Sequence, residues 1–287
     1  MSSKVEVVAV TPLYQEPHIF RLVAESWKKV RGVDRWIAFN DHSPPETVEI
    51  AREFMEVVES GEPQKSNYVR DGGDTHVWDV KTMDRMARIR NRILFDHQGV
   101  LSLDAVLMVD SDILLAPGVV EEYVKVRGWF EQQWELRCPL AISPIFWSKW
   151  KTDGPLLPQV WDYNPYGFKG VVGERLEQLK TPGVYRVMGL GAITFFDSGL
   201  LYGIEDEVSY TPIESLRRIG GMGQGEDRWF SIRAECAGHN LYGMATDPPL
   251  AYHIYRDEDL KGIAVWEEMV RRGVRTGEVE WEKEGED

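Results

Sequence analysis

The sequence predicts an α/β fold with a largely parallel central sheet, and three observations carry that expectation. Two strand–loop–helix units follow one another at the start of the chain, the pattern that builds parallel sheets. Short β-branched apolar runs recur after position 100, each bounded by turn residues. The 287 residues, 43% of them hydrophobic, suffice for one large core or two intimately packed subdomains.

In the first unit, residues 4–10 (KVEVVAV) form a buried strand that Thr11-Pro12 breaks. After the loop 11–16, residues 17–30 carry Phe20, Val23, Ala24 and Trp27 at helical spacing. The second unit repeats the order, with a strand at 35–39, a polar loop at 40–45 and an amphipathic helix at 46–59. A short strand is expected at 67–70, followed by the glycine-containing loop 71–74.

Residues 81–97 give the strongest helix signal, with Met83, Met86, Ile89, Arg90 and Ile93 near one face. Arg85, Arg88 and Arg92 read as a solvated charged surface, and Arg90-Asn91 stand at its inner boundary. The strand 105–109 (AVLMV) then ends in Asp110-Ser111-Asp112, a second apolar patch and Pro117-Gly118. Alternation along an extended chain places both carboxylates on one side, where they can converge on one divalent cation.

Beyond it come a helix at 119–130, a buried strand at 139–146 and a Trp-, Tyr-, Pro- and Gly-rich stretch at 147–187. That stretch either pins a long loop to the core or offers aromatic faces to a sugar-like ligand. Residues 187–196 combine close-approach glycines with a strand, without the spacing or following helix of a dinucleotide fingerprint. A Gly-rich loop at 220–225 leads into Glu226-Asp227, where a helix begins, and 245–255 returns as a strand-like segment carrying His253. One domain is expected over 1–272, with a nucleotide-type half at about 1–118, an acceptor-type half at about 119–272 and a charged tail at 273–287.

Forty-seven acidic residues against 33 basic give a net charge of −14, which disfavours a broad nucleic-acid surface. The two cysteines, Cys138 and Cys236, sit in no CxxC or Cys/His cluster, so neither a disulfide framework nor structural zinc is expected. No basic leader and no apolar run near the length of a membrane span is present, which predicts a soluble cytoplasmic protein without integral membrane association.

An isolated DxD is a weak signal; Asp257-Glu258-Asp259 also matches, in an exposed charged stretch. Asp110-Ser111-Asp112 differs because it ends a buried strand, where paired carboxylates repel unless a cation joins them. Oxygen ligands with one histidine suit Mn2+ or Mg2+ better than zinc. The DSD, the Gly-rich loop into Glu226-Asp227 and the later His253 stand in the order found in glycosyltransferases of the GT-A fold, which the chain resembles.

In that resemblance, Asp110, Asp112 and His253 would be metal ligands, and Asp110 and Ser111 would lie against a nucleotide-sugar donor, UDP- or GDP-linked. Thr11, Pro12, Tyr14 and Glu16 fall in a loop that looks like the family's Pro-Thr-Tyr-Asn-Glu nucleotide loop, and Asp41 matches its base-contacting aspartate. Arg90 would touch the phosphates, and Asp227, with Glu226 beside it, would face the acceptor, as in inverting family 2 glycosyltransferases. A narrower similarity links 86–94 (MARIRNRIL) and 161–164 (WDYN) to the fungal Golgi alpha-mannosyltransferase subunits and their bacterial or viral relatives.

The resemblance implies metal-dependent transfer of a sugar, a hexose by expectation, from that donor to an acceptor hydroxyl on a glycan, protein, lipid, small molecule or modified nucleic-acid base. Two alternatives are a sugar nucleotidyltransferase and a noncatalytic carbohydrate-binding protein. The first usually shows a Gly-rich, Arg/Lys-containing loop after the first strand, which Thr11-Pro12-Leu13-Tyr14 is not. The spacing of these motifs leaves the stereochemistry and the oligomeric state open.

Overall fold

A computed structural model describes residues 4–63, 80–97, 99–100, 102–133, 139–149, 154–162, 173–215, 225–255 and 257–273. The strands are β1 Val7–Leu13, β2 Arg35–Asn40, β3 Glu56–Glu59, β4 Ala105–Val109, β5 Ile113–Leu115, β6 Ala141–Pro144, β7 Trp147–Lys149 and β8 Leu156–Pro158. They continue with β9 Val160–Trp161, β10 Gly183–Arg186, β11 Gly189–Leu190, β12 Ile193–Asp197, β13 Leu241–Ala245 and β14 Ala251–His253. The α-helices are α1 Pro17–Trp27, α2 Pro45–Arg52, α3 Val80–Asn91, α4 Val119–Gln132, α5 Glu174–Gln178, α6 Ser198–Leu201, α7 Glu226–Cys236 and α8 Ile263–Arg272.

Eight strands form one mixed sheet in the order β10-β13-β6-β12-β4-β1-β2-β3, the α/β architecture the sequence predicts. The run β4-β1-β2-β3 is parallel, as is β13 with β6, whereas β12 is antiparallel to both β4 and β6. Strands from both sides of position 118 therefore share one sheet. Apolar side chains cover both faces, in one cluster around Phe20, Trp27, Tyr123 and Phe195 and another around Phe39, Ile89, Phe196 and Phe230.

Helix α1 opens with Pro17, whose fixed φ suits the first turn, and buries Phe20, Val23, Ala24 and Trp27 as their spacing requires. The Trp27 indole N–H donates to the Ile113 carbonyl at 2.8 Å, tying α1 to the strand that follows Asp112. Strand β1 runs on through Thr11-Pro12 to Leu13 rather than stopping there. Its pairing with β4 ends at Val10, so the missing Pro12 N–H falls where the ladder has already opened on that side.

Other boundaries move as well. The helix expected over 46–59 is α2, ending at Arg52, and 56–59 is the edge strand β3. The segment expected as one strand at 245–255 resolves into the end of β13 and the short β14. The strand expected at 187–196 divides around Gly191 into β11, which pairs with β9, and β12, which joins the main sheet between β4 and β6; a Cβ on Gly191 would lie 2.7 Å from the Gln159 carbonyl oxygen. Helix α3 continues as a π-helix over Arg92–Asp96, close to the expected length. The readings at 67–74, at Cys138, at 163–167, at 220–224 and in the tail beyond 273 lie outside the described residues.

Candidate functional site

The carboxyl ends of the parallel strands β1, β2 and β4 open into a cavity of about 470 Å³, where open α/β sheets characteristically bind ligands. Pro12 and Tyr14 enter from β1, Asp41 from β2, and Asp110, Ser111 and Asp112 from the turn after β4. Helix α3 contributes Met83, Met86 and Arg90, and the first turn of α7 contributes Glu226, Asp227 and Arg228. Trp161 and His253 complete the lining. Thr11 is wholly buried and Glu16 half-buried, and neither lines the cavity.

Asp110 and Asp112 reach the cavity through a turn, closed by the Ile113 N–H on the Asp110 carbonyl at 3.2 Å, rather than by extended alternation. The sheet fixes the turn from both sides. The Asp110 N–H donates to the Ala192 carbonyl at 2.8 Å, extending the β4–β12 ladder, and the Ile254 N–H donates to the Asp112 carbonyl at 2.9 Å. Antiparallel β14 sets His253 opposite Ile113, and His253 Nε2 lies 3.3 Å from Asp112 Oδ2. A spacing near 3 Å fits two neighbouring ligands of a six-coordinate ion with bonds of about 2.1 Å.

Asp110 is turned differently. Arg90 Nη2 donates to its two carboxylate oxygens at 2.9 and 3.2 Å. The same guanidinium stands 3.5 Å from Asp227 and 3.6 Å from Glu226, so one buried cation faces three carboxylates. Among the described residues no three His, Cys, Asp or Glu side chains form a preassembled metal cluster. Asp112 and His253 are the pair spaced to share an ion, and Asp110, on the same cavity wall, is engaged by Arg90.

Burial dominates the titration of this acidic group. It raises Asp110 to about 7, against the pull of Arg90 and with a push from Asp112 and Asp227. Burial and then repulsion by Asp227 lift Glu226 to about 8. Asp227 is also raised by burial, with Arg90 and Arg228 opposing. For His253 burial acts downward, but the Asp112 carboxylate outweighs it and the imidazole pKa rises.

The second buried pair is Arg85 with Asp41. Arg85 grips both Asp41 oxygens, by Nε at 2.7 Å and by Nη2, and Ser60 donates a third hydrogen bond at 3.0 Å. An ionised carboxylate offers roughly four acceptor sites, so about one stays open towards the cavity. Arg85 also donates to the Pro63 carbonyl at 2.6 Å. It is 3% exposed, so the expectation of a solvated arginine is wrong here: the buried Asp41 and the chain leaving β3 draw it inward. Arg88 does lie outside, paired with Glu62, while Arg92 reaches the Ser60 carbonyl.

Sequence reasoning missed Tyr210, whose buried ring lies 5.5 Å from the Arg90 guanidinium. It also missed Arg228, whose guanidinium lies 4.9 Å over Trp161. Trp161 belongs to the aromatic stretch the sequence marks, and its ring lines the cavity.

No family model matches this sequence, and no curated protein matches it. Among solved structures, a 4-diphosphocytidyl-2C-methyl-D-erythritol synthase aligns over 92% of this chain and 99% of its own, with 11% identity and a TM-score of 0.50. A fragment of S. aureus TarS aligns over 84% of this chain with 13% identity and a TM-score of 0.46. The mannosyltransferase PcManGT from Pyrobaculum calidifontis, in complex with GDP-Man and Mn2+, aligns over 84% with 14% identity and a TM-score of 0.44. The chain spans 58% of that TarS fragment and 55% of PcManGT. At these identities the likeness is one of fold. Among the described residues no helix is long and apolar enough to cross a membrane.

Proposed function

We propose that this protein is a metal-dependent glycosyltransferase that moves a sugar, a hexose in our reading, from a UDP- or GDP-linked donor to an acceptor hydroxyl. The observation that carries the reading is the convergence of Asp110, Asp112, Arg90, Asp227 and His253 on one cavity at the carboxyl ends of parallel strands. Asp112 and His253 would hold Mn2+ or Mg2+, with Asp110 as a third ligand if it exchanges Arg90 for the ion. The ion would supply charge neutralisation for the departing diphosphate.

The residues of the chain do the rest. Pro12, Tyr14, Asp41 and the methionine face of α3 enclose the donor side, and Asp41 has room to accept one ligand N–H. Arg90 balances the carboxylates and presents its charge to phosphate oxygens. Asp227 is the candidate to receive or orient the acceptor hydroxyl, and Glu226 supports it from the buried side. Trp161 and Arg228 wall the acceptor side, where a ring face would suit a sugar. The halves at 1–118 and 119–272 then serve donor and acceptor.

A thermal-shift panel of UDP-, GDP-, CDP- and ADP-sugars with and without Mn2+ tests the reading, because a ligand of the folded state raises Tm. A UDP- or GDP-sugar should shift Tm only with Mn2+ present, and Asp112→Ala should abolish the shift. Pyrophosphate release from a nucleoside triphosphate and a sugar phosphate would instead identify a nucleotidyltransferase.

A further inference from the structure

The acidic group around Arg90 is assembled from three separate elements: Arg90 on α3, Asp110 after β4, and Glu226 with Asp227 on α7. Arg90 draws the three carboxyl groups together only while its own guanidinium is held between them, which requires the three elements to stay in register. Tyr210 touches all three. Its backbone N–H donates to Asn91 Oδ1 at 2.7 Å, one residue after Arg90. Its hydroxyl lies 3.7 Å from Met108 Sδ, two residues before Asp110, and Arg90 Nη1 approaches the same sulfur at 3.4 Å. Its ring stacks on Phe230, three residues after Asp227, with centroids 4.7 Å apart and planes at 30°.

The fourth contact is with Arg90 itself, whose guanidinium is 5.5 Å from the Tyr210 ring centroid. A ring in that place excludes water and attracts the cation. Tyr210 lies outside regular secondary structure, so its own position needs an anchor. Asn91 provides one with both ends of its amide, accepting from Tyr210 N–H and donating to Thr211 Oγ1 at 3.1 Å.

We propose that Tyr210, seated by Asn91, is the positioning residue that fixes Arg90 between Asp110 and Asp227 and so sets the geometry of the transfer site. The catalytic consequence rests on the glycosyltransferase reading, whereas the placement of Arg90 can be tested without it. Tyr210 and Asn91 act through Arg90 and touch no substrate.

The test compares Tyr210→Leu, Tyr210→Phe, Asn91→Ala and Asn91→Asp in the full chain. The first readout is the Arg90 Nε–Hε NMR resonance, assigned by its loss in Arg90→Lys. Tyr210→Leu and Asn91→Ala should shift or broaden it, because ring and clamp are lost. Tyr210→Phe keeps the ring and Asn91→Asp keeps the acceptor for Tyr210 N–H, so both should leave it near its wild-type position. With an active donor, Tyr210→Leu should lower kcat about 10-fold or more, as misplacement of a charge does, while KM for the donor changes less than about 3-fold. Tyr210→Phe should stay within about 3-fold of wild type.

An unchanged resonance in both Tyr210→Leu and Asn91→Ala overturns the proposal, as does equal damage by Tyr210→Phe and Tyr210→Leu. If Tyr210→Leu does not fold, the Asn91→Ala and Asn91→Asp pair decides by the same criteria. If no donor turns over in the wild type, the transfer reading fails while the resonance still tests the positioning.

Discussion

Replacing Arg90 by methionine keeps much of the side-chain volume and removes the charge that faces Asp110, Asp227 and Glu226. At 2.9, 3.5 and 3.6 Å, each attraction is worth about 5 kcal/mol in gross Coulomb energy at an effective dielectric near 20. Most of that is offset by taking the charges out of water, so the expected net loss is about 3–5 kcal/mol, the cost of stranding a buried partner. Against a total stability of about 5–15 kcal/mol this is large. Burial has already raised Asp110 and Glu226 to about 7 and 8 against the pull of Arg90, and losing that cation raises both further. At pH 5.5 both therefore escape the penalty by protonation in either protein, whereas at pH 8.5 only the wild type keeps a partner for the charges and the variant must bear them or take up protons. Urea unfolding in EDTA should show a midpoint about 1–2 M lower at pH 8.5 and a smaller drop at pH 5.5. A loss below about 1 kcal/mol at pH 8.5, or one no larger than at pH 5.5, would mean that Arg90 does not hold these carboxyl groups as a buried counter-charge.

Three further outcomes follow from the same structure. Arg85→Met should cost about 3–4 kcal/mol because it strands buried Asp41, whereas Arg88→Met, at an exposed pair with Glu62, should cost less than about 1 kcal/mol; paired urea curves measure both. Gly191→Ala should destabilise by about 1–3 kcal/mol, since the new Cβ meets the Gln159 carbonyl oxygen at 2.7 Å and backbone must move; calorimetric Tm reads it. For Glu226, a folded pKa raised to about 8 above the usual 4.5 means stability present at low pH is lost as pH rises through the folded value. The metal-free protein should therefore weaken from pH 5.5 to 8.5, and Glu226→Gln should flatten that slope, as denaturation at both pH values will show.

The local patterns that build the fold were largely legible. Val7–Val10 and Ala105–Val109 are apolar because helices cover both faces of the sheet, and a strand buried on two sides reads as a continuous run. Pro17 and the spacing from Phe20 to Trp27 mark α1 for the same local reasons. The DSD, Glu226-Asp227 and His253 were legible because buried-strand context and chain order distinguish them from Asp257-Glu258-Asp259.

What the sequence hid depends on contacts across the chain. Strand β3 is a four-residue edge strand with exposed Glu56 and Glu59 around half-buried Val57 and Val58, so it lacks strand alternation and continues the amphipathic pattern of the preceding helix. The strand period of β13 is obscured by Gly243, where a Cβ would lie 2.8 Å from Ile145 Cδ1. Arg85 is buried through partners distant in sequence, Asp41, 44 residues away, and the Pro63 carbonyl. Tyr210 sits in an irregular stretch whose importance comes from three elements it meets in space, and no local spacing announces that.

Metal-dependent sugar transfer stands or falls on nucleoside diphosphate release from a UDP- or GDP-sugar in the presence of acceptor and Mn2+. EDTA should abolish the release and Asp112→Ala should lower it at least about 100-fold, the scale expected when transition-state charge loses its partner. Full turnover in EDTA and in Asp112→Ala would contradict metal-dependent transfer.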